Sequence, residues 1–144
     1  MHLYTWKKEY SLDVEELDLQ HKNLLAMINK LIMFQNESKA IVRRLIDEVI
    51  AYAEFHFLSE DNIMMITHYD GFEQHQKVHK MLLKKLRNQY THYVNGQIEL
   101  KEIIVFMARW LIDHIIAEQN DRALARYLRS SDKYRNLLTL ENSN

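Results

Sequence analysis

Apolar side chains recur every three or four residues along four long stretches of the chain. This spacing lines one face of an α-helix, which is the face that packs against other helices. The stretches are separated at Gly71, at Gly96 and in a polar run around Ser38. The pattern predicts helices near residues 17–36, 39–65, 70–93 and 98–119, followed by a short fifth helix, DRALARYLRS.

Short connections between long helices make neighbouring helices antiparallel. We therefore predict an all-α fold, an up-down-up-down antiparallel four-helix bundle. The first dozen or so residues form an N-terminal arm, in which Leu3, Tyr4, Trp6 and Tyr10 are available to pack on the bundle. A chain of 144 residues has the usual length of one domain, so residues 1–144 are predicted to form a single domain.

Composition narrows the possible chemistry. The absence of proline and the presence of only two glycines disfavour a many-stranded sheet, and the absence of cysteine excludes disulfides and thiolate metal sites. A net charge of −1 indicates no nucleic-acid partner. Because neither a signal peptide nor an apolar stretch of about 18 residues occurs, we expect no membrane partner and a cytoplasmic location.

The unusual feature is the number and position of the histidines. A single histidine on an apolar helix face is usually a hydrogen-bonded core residue. Here five of the eight histidines and one glutamate occupy positions where packing alone would place leucine or isoleucine. These six residues are His21, His56, Glu60, His75, His79 and His114. Each buried polar group left unpaired costs roughly 1 to 3 kcal/mol, and a metal centre would compensate all six. The remaining histidines, His2, His68 and His92, are assigned to the surface.

The spacing of these residues indicates two metal ions. His56 with Glu60, and His75 with His79, are four residues apart and so project from one helix face. The ligands fall alternately early and late in successive helices, which brings all of them to the same end of an antiparallel bundle. Six nitrogen and oxygen ligands exceed the needs of one zinc ion and suit iron. We assign His75, His79 and His114 to one ion, His21 and His56 to the other, and Glu60 to a bridge.

Nearly the whole chain, about residues 4–130, resembles the hemerythrin family, and specifically the bacterial hemerythrins. The resemblance rests on Trp6 and on four segments, YSLDVEELDLQHKNLLAMINKL, HFLSEDNIM, HQKVHKML and WLIDHIIAEQ. Asp18 and Gln20 also agree with the family pattern. Membership implies reversible dioxygen binding at a non-haem di-iron centre. It further implies that His21 and His56 lie on the oxygen-binding iron, and that the other three histidines lie on the saturated iron.

The sequence departs from the family at the second bridging carboxylate. The family pattern places an aspartate five residues after the last histidine, and this chain has Gln119 there. The sequence leaves three alternatives, in order: the Gln119 amide or water at the bridge, Glu118 as a substitute, or the loss of one iron. Asp121 lies on the same helix face one turn further on, but outside the family register. Weaker or less reversible dioxygen binding is expected in each case.

The sequence favours a binding protein over an enzyme. It contains neither the Glu-x-x-His element of ferritin-like di-iron oxidases, nor His-Glu-x-x-His, nor a glycine-rich phosphate loop. We expect a dioxygen carrier, store or scavenger that also binds small anions or nitric oxide. The alternative is a sensor of oxygen, nitric oxide or iron status that acts through a partner. Trp110, one turn before His114, is a candidate wall of the metal pocket, and the oligomeric state is left open.

Overall fold

A computed structural model of the chain describes residues 1–116 and 120–142. Its described part is all-helical, as predicted, and contains no strand. A 3-10 turn at Lys8–Tyr10 precedes six α-helices. They are α1 (Glu15–Met33), α2 (Lys39–Ile66), α3 (Phe72–Val94), α4 (Leu100–Ile116), α5 (Asp121–Ser130) and α6 (Asp132–Asn142).

Local chemistry sets several of the helix ends. The Ser38 hydroxyl accepts a hydrogen bond from the Ile41 amide and so caps the start of α2. After α3 the chain turns at Gly96, whose φ of +74° is a conformation that glycine adopts without strain. The predicted breaks around Ser38, Gly71 and Gly96 therefore separate α1, α2, α3 and α4.

The four long helices bury one continuous apolar interior. α1 packs against α2 and α4, and α3 packs against the same two helices. The half of this interior distant from the histidines is fully buried and purely apolar. Its largest contributors are Ile28, Leu31, Ile46, Val49, Leu86, Ile103 and Ile104. Apolar burial alone is sufficient to hold the helices together in this half.

Hydrogen bonds tie the arm to α1 and to α5. Tyr4 and Asn29 exchange two hydrogen bonds of 2.8 Å, which join the arm to α1. The Arg122 guanidinium of α5 donates to the carbonyl of Glu9, and Arg129 donates to the carbonyl of Leu12. α5 is thus tied to the segment that precedes α1.

One described helix was not predicted from the sequence. α6 follows α5 after Ser131 and packs on it, with Tyr134 buried. Its sequence is DKYRNLLTLEN, and Tyr134, Leu137 and Leu138, three and four residues apart, form its apolar face. The last bundle helix was predicted near residues 98–119; α4 is described over Leu100–Ile116, and residues 117–119 lie outside the described part. None of the described helices is both long and apolar enough to cross a membrane.

Candidate metal centre

Seven buried polar side chains from five helices meet at one end of the interior. His21 comes from α1, His56 and Glu60 from α2, His75 and His79 from α3, and His114 from α4, and the seventh is Asp121, the first residue of α5. None is more than 5% exposed. The structure therefore brings together all six residues selected from the helical pattern and adds a second carboxylate.

Glu60 lies between two sets of histidines. Its Oε2 lies 2.6 Å from Nε2 of His56 and 3.8 Å from Nε2 of His21. Its Oε1 lies 3.0 Å from Nε2 of His75 and 3.2 Å from Nε2 of His79. One oxygen thus faces each set, which is the arrangement that a carboxylate needs to bridge two cations.

Asp121 repeats this arrangement from the opposite side. Its Oδ2 lies 2.9 Å from Nε2 of His21. Its Oδ1 lies 3.0 Å from Nε2 of His114 and 3.2 Å from Nε2 of His75. The donor atoms consequently form two groups that share both carboxylates. Within each group the ligand atoms lie within 4.8 Å of one another. The first group consists of Glu60, His75, His79, His114 and Asp121, and the second of His21, His56, Glu60 and Asp121.

The hydrogen bonding of these atoms fits a pair of metal ions. Among the described residues, Nε2 of His21, His56, His79 and His114 is buried without a hydrogen bond of normal geometry, and so are Oε2 of Glu60 and both oxygens of Asp121. Buried polar atoms are normally paired, and each unpaired atom costs about 1 to 3 kcal/mol. Imidazole nitrogens and carboxylate oxygens that converge in this way are suitable ligands for iron. The donor set therefore fits two cations, with five side chains around one and four around the other.

The two carboxylates are ionised despite complete burial. Desolvation alone would raise the pKa of Glu60, but the facing His56, His21 and His75 hold it well below its usual range. Desolvation and Glu60 likewise oppose ionisation of Asp121, while His114 and His21 keep its pKa well below the usual range.

The two carboxylates also change the pKa values of the histidines that face them. Burial lowers the pKa of His21, but the facing carboxylates of Asp121 and Glu60 outweigh it and raise that pKa to about 9. The same balance raises the pKa of His75 to about 10. For His56 burial prevails, and its pKa is lowered. A metal ion must displace a proton from a charged imidazole, so metal uptake at this site competes with protons.

Two further side chains orient the imidazoles from behind. Nδ1 of His56 lies 2.7 Å from Oε1 of Gln20, while Nε2 of Gln20 donates to the Ser59 hydroxyl at 3.1 Å. Because the amide oxygen accepts, the proton of His56 resides on Nδ1 and Nε2 is free to face Glu60. Nδ1 of His79 similarly lies 3.0 Å from a carboxylate oxygen of Asp61. Such partners fix the tautomer and orientation of ligating histidines.

An aromatic side chain fills the space beside the histidines. The Phe57 ring stacks on His79 with a centroid distance of 4.2 Å and meets His114 edge-on at 5.6 Å. Trp110 contacts Phe57 from the other side at 5.7 Å, and its indole nitrogen donates to the carbonyl of Leu82. The nearest aromatic wall of the centre is therefore Phe57, with Trp110 behind it. The sequence analysis missed Phe57 because nothing in the helical pattern separates it from an ordinary core residue.

Asp121 is the main addition to the sequence analysis, which ranked Gln119 and Glu118 ahead of it. Both of those residues lie outside the described part of the chain. On a continuous helix Asp121 would lie about 10 Å beyond His114 along the axis, too far to share an ion with it. Asn120, however, has non-helical backbone angles (φ −109°, ψ −109°), and α5 starts anew at Asp121. The sequence predicted this separate fifth helix, DRALARYLRS, but not that its first residue faces the histidines.

Comparison with known proteins gives consistent results. Residues 12–123 match the family model described as the Hemerythrin HHE cation binding domain. A bacteriohemerythrin of Stenotrophomonas maltophilia is 28% identical over 80% of this chain and 76% of its own length. A myohemerythrin of Theromyzon tessulatum is 27% identical over 78% of this chain and 84% of its own length.

A solved structure supports the same relationship. A crystal structure of wild-type hemerythrin has a TM-score of 0.72 with 27% identity, over 82% of this chain and 93% of that one. The sequence match and the similarity of fold thus cover the same large part of the chain.

Proposed function

Because the chain belongs to the hemerythrin family, we propose that it binds dioxygen reversibly at a centre of two non-haem iron ions. The observation that carries this proposal is the pair of donor groups that share Glu60 and Asp121. Hemerythrins are oxygen-binding proteins rather than enzymes, which agrees with the expected absence of catalysis. When bound, a ferrous pair supplies the electrons that reversible dioxygen binding requires.

The two donor groups differ in the number of side chains they offer. Three histidines and two carboxylates surround one position, whereas His21, His56 and the same two carboxylates surround the other. We infer that the position with fewer ligands is the one open to dioxygen or to a small anion. The two carboxylates would neutralise two of the four positive charges of a ferrous pair, and the remaining charge would favour a small anion at the same position.

The protein around the centre excludes water. The ligands are at most 5% exposed, and Phe57, Leu17, Leu24 and Ile115 are buried within the same interior. A dry, apolar surrounding favours binding of an apolar gas and slows the entry of protons and water that would promote autoxidation. Gln20 and Asp61 hold two of the imidazoles in the required orientation.

The test is iron content and the visible spectrum of the iron-loaded protein under alternating nitrogen and air. We expect two iron ions per chain and an absorption change that reverses when oxygen is removed. His21→Ala should abolish the reversible change, whereas His92→Ala, at an exposed position of α3, should retain it. Trace iron after reconstitution, or an absorption change that never reverses, would contradict the proposal.

A sensor of oxygen, nitric oxide or iron status is the second candidate. It is favoured by the position of Asp121, which begins α5 and so links the centre to the C-terminal helices. A sensor must change shape or partner affinity with ligand or oxidation state. Hydrogen exchange in α5 and α6, measured with and without oxygen, separates the two: identical protection favours the carrier and a large difference favours the sensor.

Three further features belong to the same proposal. We infer that α1 to α4 run up-down-up-down as a four-helix bundle, because connections of a few residues join each to the next. We also propose that residues 1–144 form one domain and that the protein acts in the cytoplasm.

A further inference from the structure

A second cavity lies outside the metal centre, in a groove between α3 and α4. Its volume is about 400 Å³, within the range of small-molecule sites. The floor consists of Val78 and Leu82 from α3 and of Phe106 and Trp110 from α4, and all four are partly or fully buried. Such a surface suits an apolar ligand body.

Two cations stand at the rim of this groove. Lys85 belongs to α3 and Arg109 to α4, and both are exposed. Within the described part of the chain neither forms an ion pair, whereas Arg87, close to Lys85 in α3, is paired with Glu54. Among the residues that line the groove, the one carboxylate is Asp113, about one turn beyond Trp110 on the side away from Lys85. The local charge of the groove is therefore positive, in a protein whose net charge is −1.

The two cations lie toward one end of the groove, and the opposite end is lined by Val78, Asp113, His114 and Asn120. The hydrogen bond from Trp110 to the Leu82 carbonyl sets these two residues at one level. Since α3 and α4 run in opposite directions, Lys85 and Phe106 lie one turn to one side of that level, and Val78 and His114 one turn to the other. From Lys85 to Val78 the distance along the helix axis is about 10 Å. The groove thus extends from its cationic rim to the outer side of His114.

We propose that this groove binds a medium-chain carboxylate, with its headgroup at Lys85 and Arg109 and its apolar tail over Leu82 and Trp110. Arg109 presents a planar fork of donors suited to a carboxylate, and Lys85 adds a second positive charge from the opposite helix. The apolar floor distinguishes this ligand from a small inorganic anion. The two unpaired cations distinguish it from a neutral or cationic amphiphile. The inference does not depend on dioxygen binding.

The first experiment compares ligands on the unaltered, iron-loaded protein by isothermal titration calorimetry. We expect octanoate to bind at one site per chain, and octanol and octylammonium to bind at least tenfold more weakly. Acetate, which has the headgroup without the tail, should show no saturable binding. Equal affinity for octanol would contradict the role of the cations. Acetate binding as tight as that of octanoate would place the carboxylate at the iron instead of in the groove.

The second experiment uses matched variants of α3 and α4. Lys85→Gln with Arg109→Gln should weaken octanoate binding about tenfold or more, because two charge-assisted contacts are lost. Lys80→Gln with Lys84→Gln removes the same charge from exposed positions of α3 outside the groove and should leave affinity unchanged. Val78→Phe should block the tail. An equal loss in the Lys80 and Lys84 control, or no loss in the Lys85 and Arg109 variant, would overturn the proposal.

Discussion

The two halves of the helical interior are built on different principles, although the same four helices form both. One half consists of aliphatic side chains such as Ile46, Val49 and Leu86, which are 0% exposed. The other half buries five imidazoles and two carboxylates at the same depth. Aliphatic side chains gain free energy from burial itself, whereas buried polar groups need a partner for each donor and acceptor. The stability of the polar half should therefore depend on metal, and that of the apolar half should not.

The largest expected effect is the removal of iron. Chelation should lower the free energy of unfolding by about 4 kcal/mol when free iron had exceeded its dissociation constant a thousandfold, because metal binds only the folded state. The measurement is thermal unfolding with and without chelator. His75→Ala with His79→Ala should remove most of the chelator effect, because one of the two donor groups loses two of its five ligands. His68→Ala with His92→Ala is the control at exposed positions, and its loss of the effect would contradict the assignment of faces.

A cavity in the apolar half should destabilise the protein whether or not iron is bound. Leu86→Ala removes a fully buried side chain, and we expect a loss of about 3 kcal/mol from transfer and cavity effects. Denaturant unfolding should show that Leu86→Ala lowers the free energy of unfolding by the same amount in the metal-loaded and the metal-free protein. A loss confined to one of the two states would mean that the halves are energetically coupled.

The third prediction separates Asp121 from Gln119. Asp121→Asn removes one bridging charge, and we expect about a hundredfold loss of iron affinity, equivalent to about 2.7 kcal/mol. Gln119→Ala should leave affinity unchanged, because two carboxylates already face both donor groups. Iron content per chain after dialysis against a competing chelator measures both. If Gln119→Ala loses iron and Asp121→Asn retains it, the bridging ligand is Gln119, at the family position. If only Glu118→Ala loses iron, the bridging ligand is Glu118.

A smaller loss of iron affinity is expected when Gln20, the hydrogen-bond partner of His56, is replaced. Gln20→Leu leaves Nδ1 of His56 without an acceptor, so the proton is no longer held on that nitrogen. We expect about a tenfold loss of iron affinity. Gln20→Glu retains an acceptor and should restore most of the affinity. Equal affinity in Gln20→Leu and the parent protein would show that packing alone orients His56.

The smallest effect on stability is expected at Glu16, a carboxylate that does not face the histidines as Glu60 does. Burial and the nearby Glu141 raise the pKa of Glu16, although a hydrogen bond from Tyr134 opposes them. A raised folded pKa means that the charged form is disfavoured, so Glu16 weakens the fold once pH exceeds that pKa. Glu16→Gln should therefore melt slightly higher than the parent at neutral pH, and the gain should vanish below the unfolded pKa. A gain that persists in acid would contradict this origin.

Sequence alone was sufficient for the residues whose positions repeat with the helical period. The four long helices and the breaks near Gly71 and Gly96 follow from local spacing, and so does the common end of His21, His56, His75, His79 and His114. This is possible because an α-helix has a fixed rise and rotation per residue, so spacing in sequence determines which face and which level a side chain occupies.

The tertiary structure decided what depends on a change of chain direction or on contacts between helices. Asp121 reaches His21 and His114 because α5 starts anew after the non-helical Asn120, and the helical period does not carry from one helix to the next. The stacking of Phe57 on His79 likewise depends on how α2 and α3 pack. Side-chain periodicity specifies one helix at a time, and the second carboxylate is contributed by a helix that starts anew.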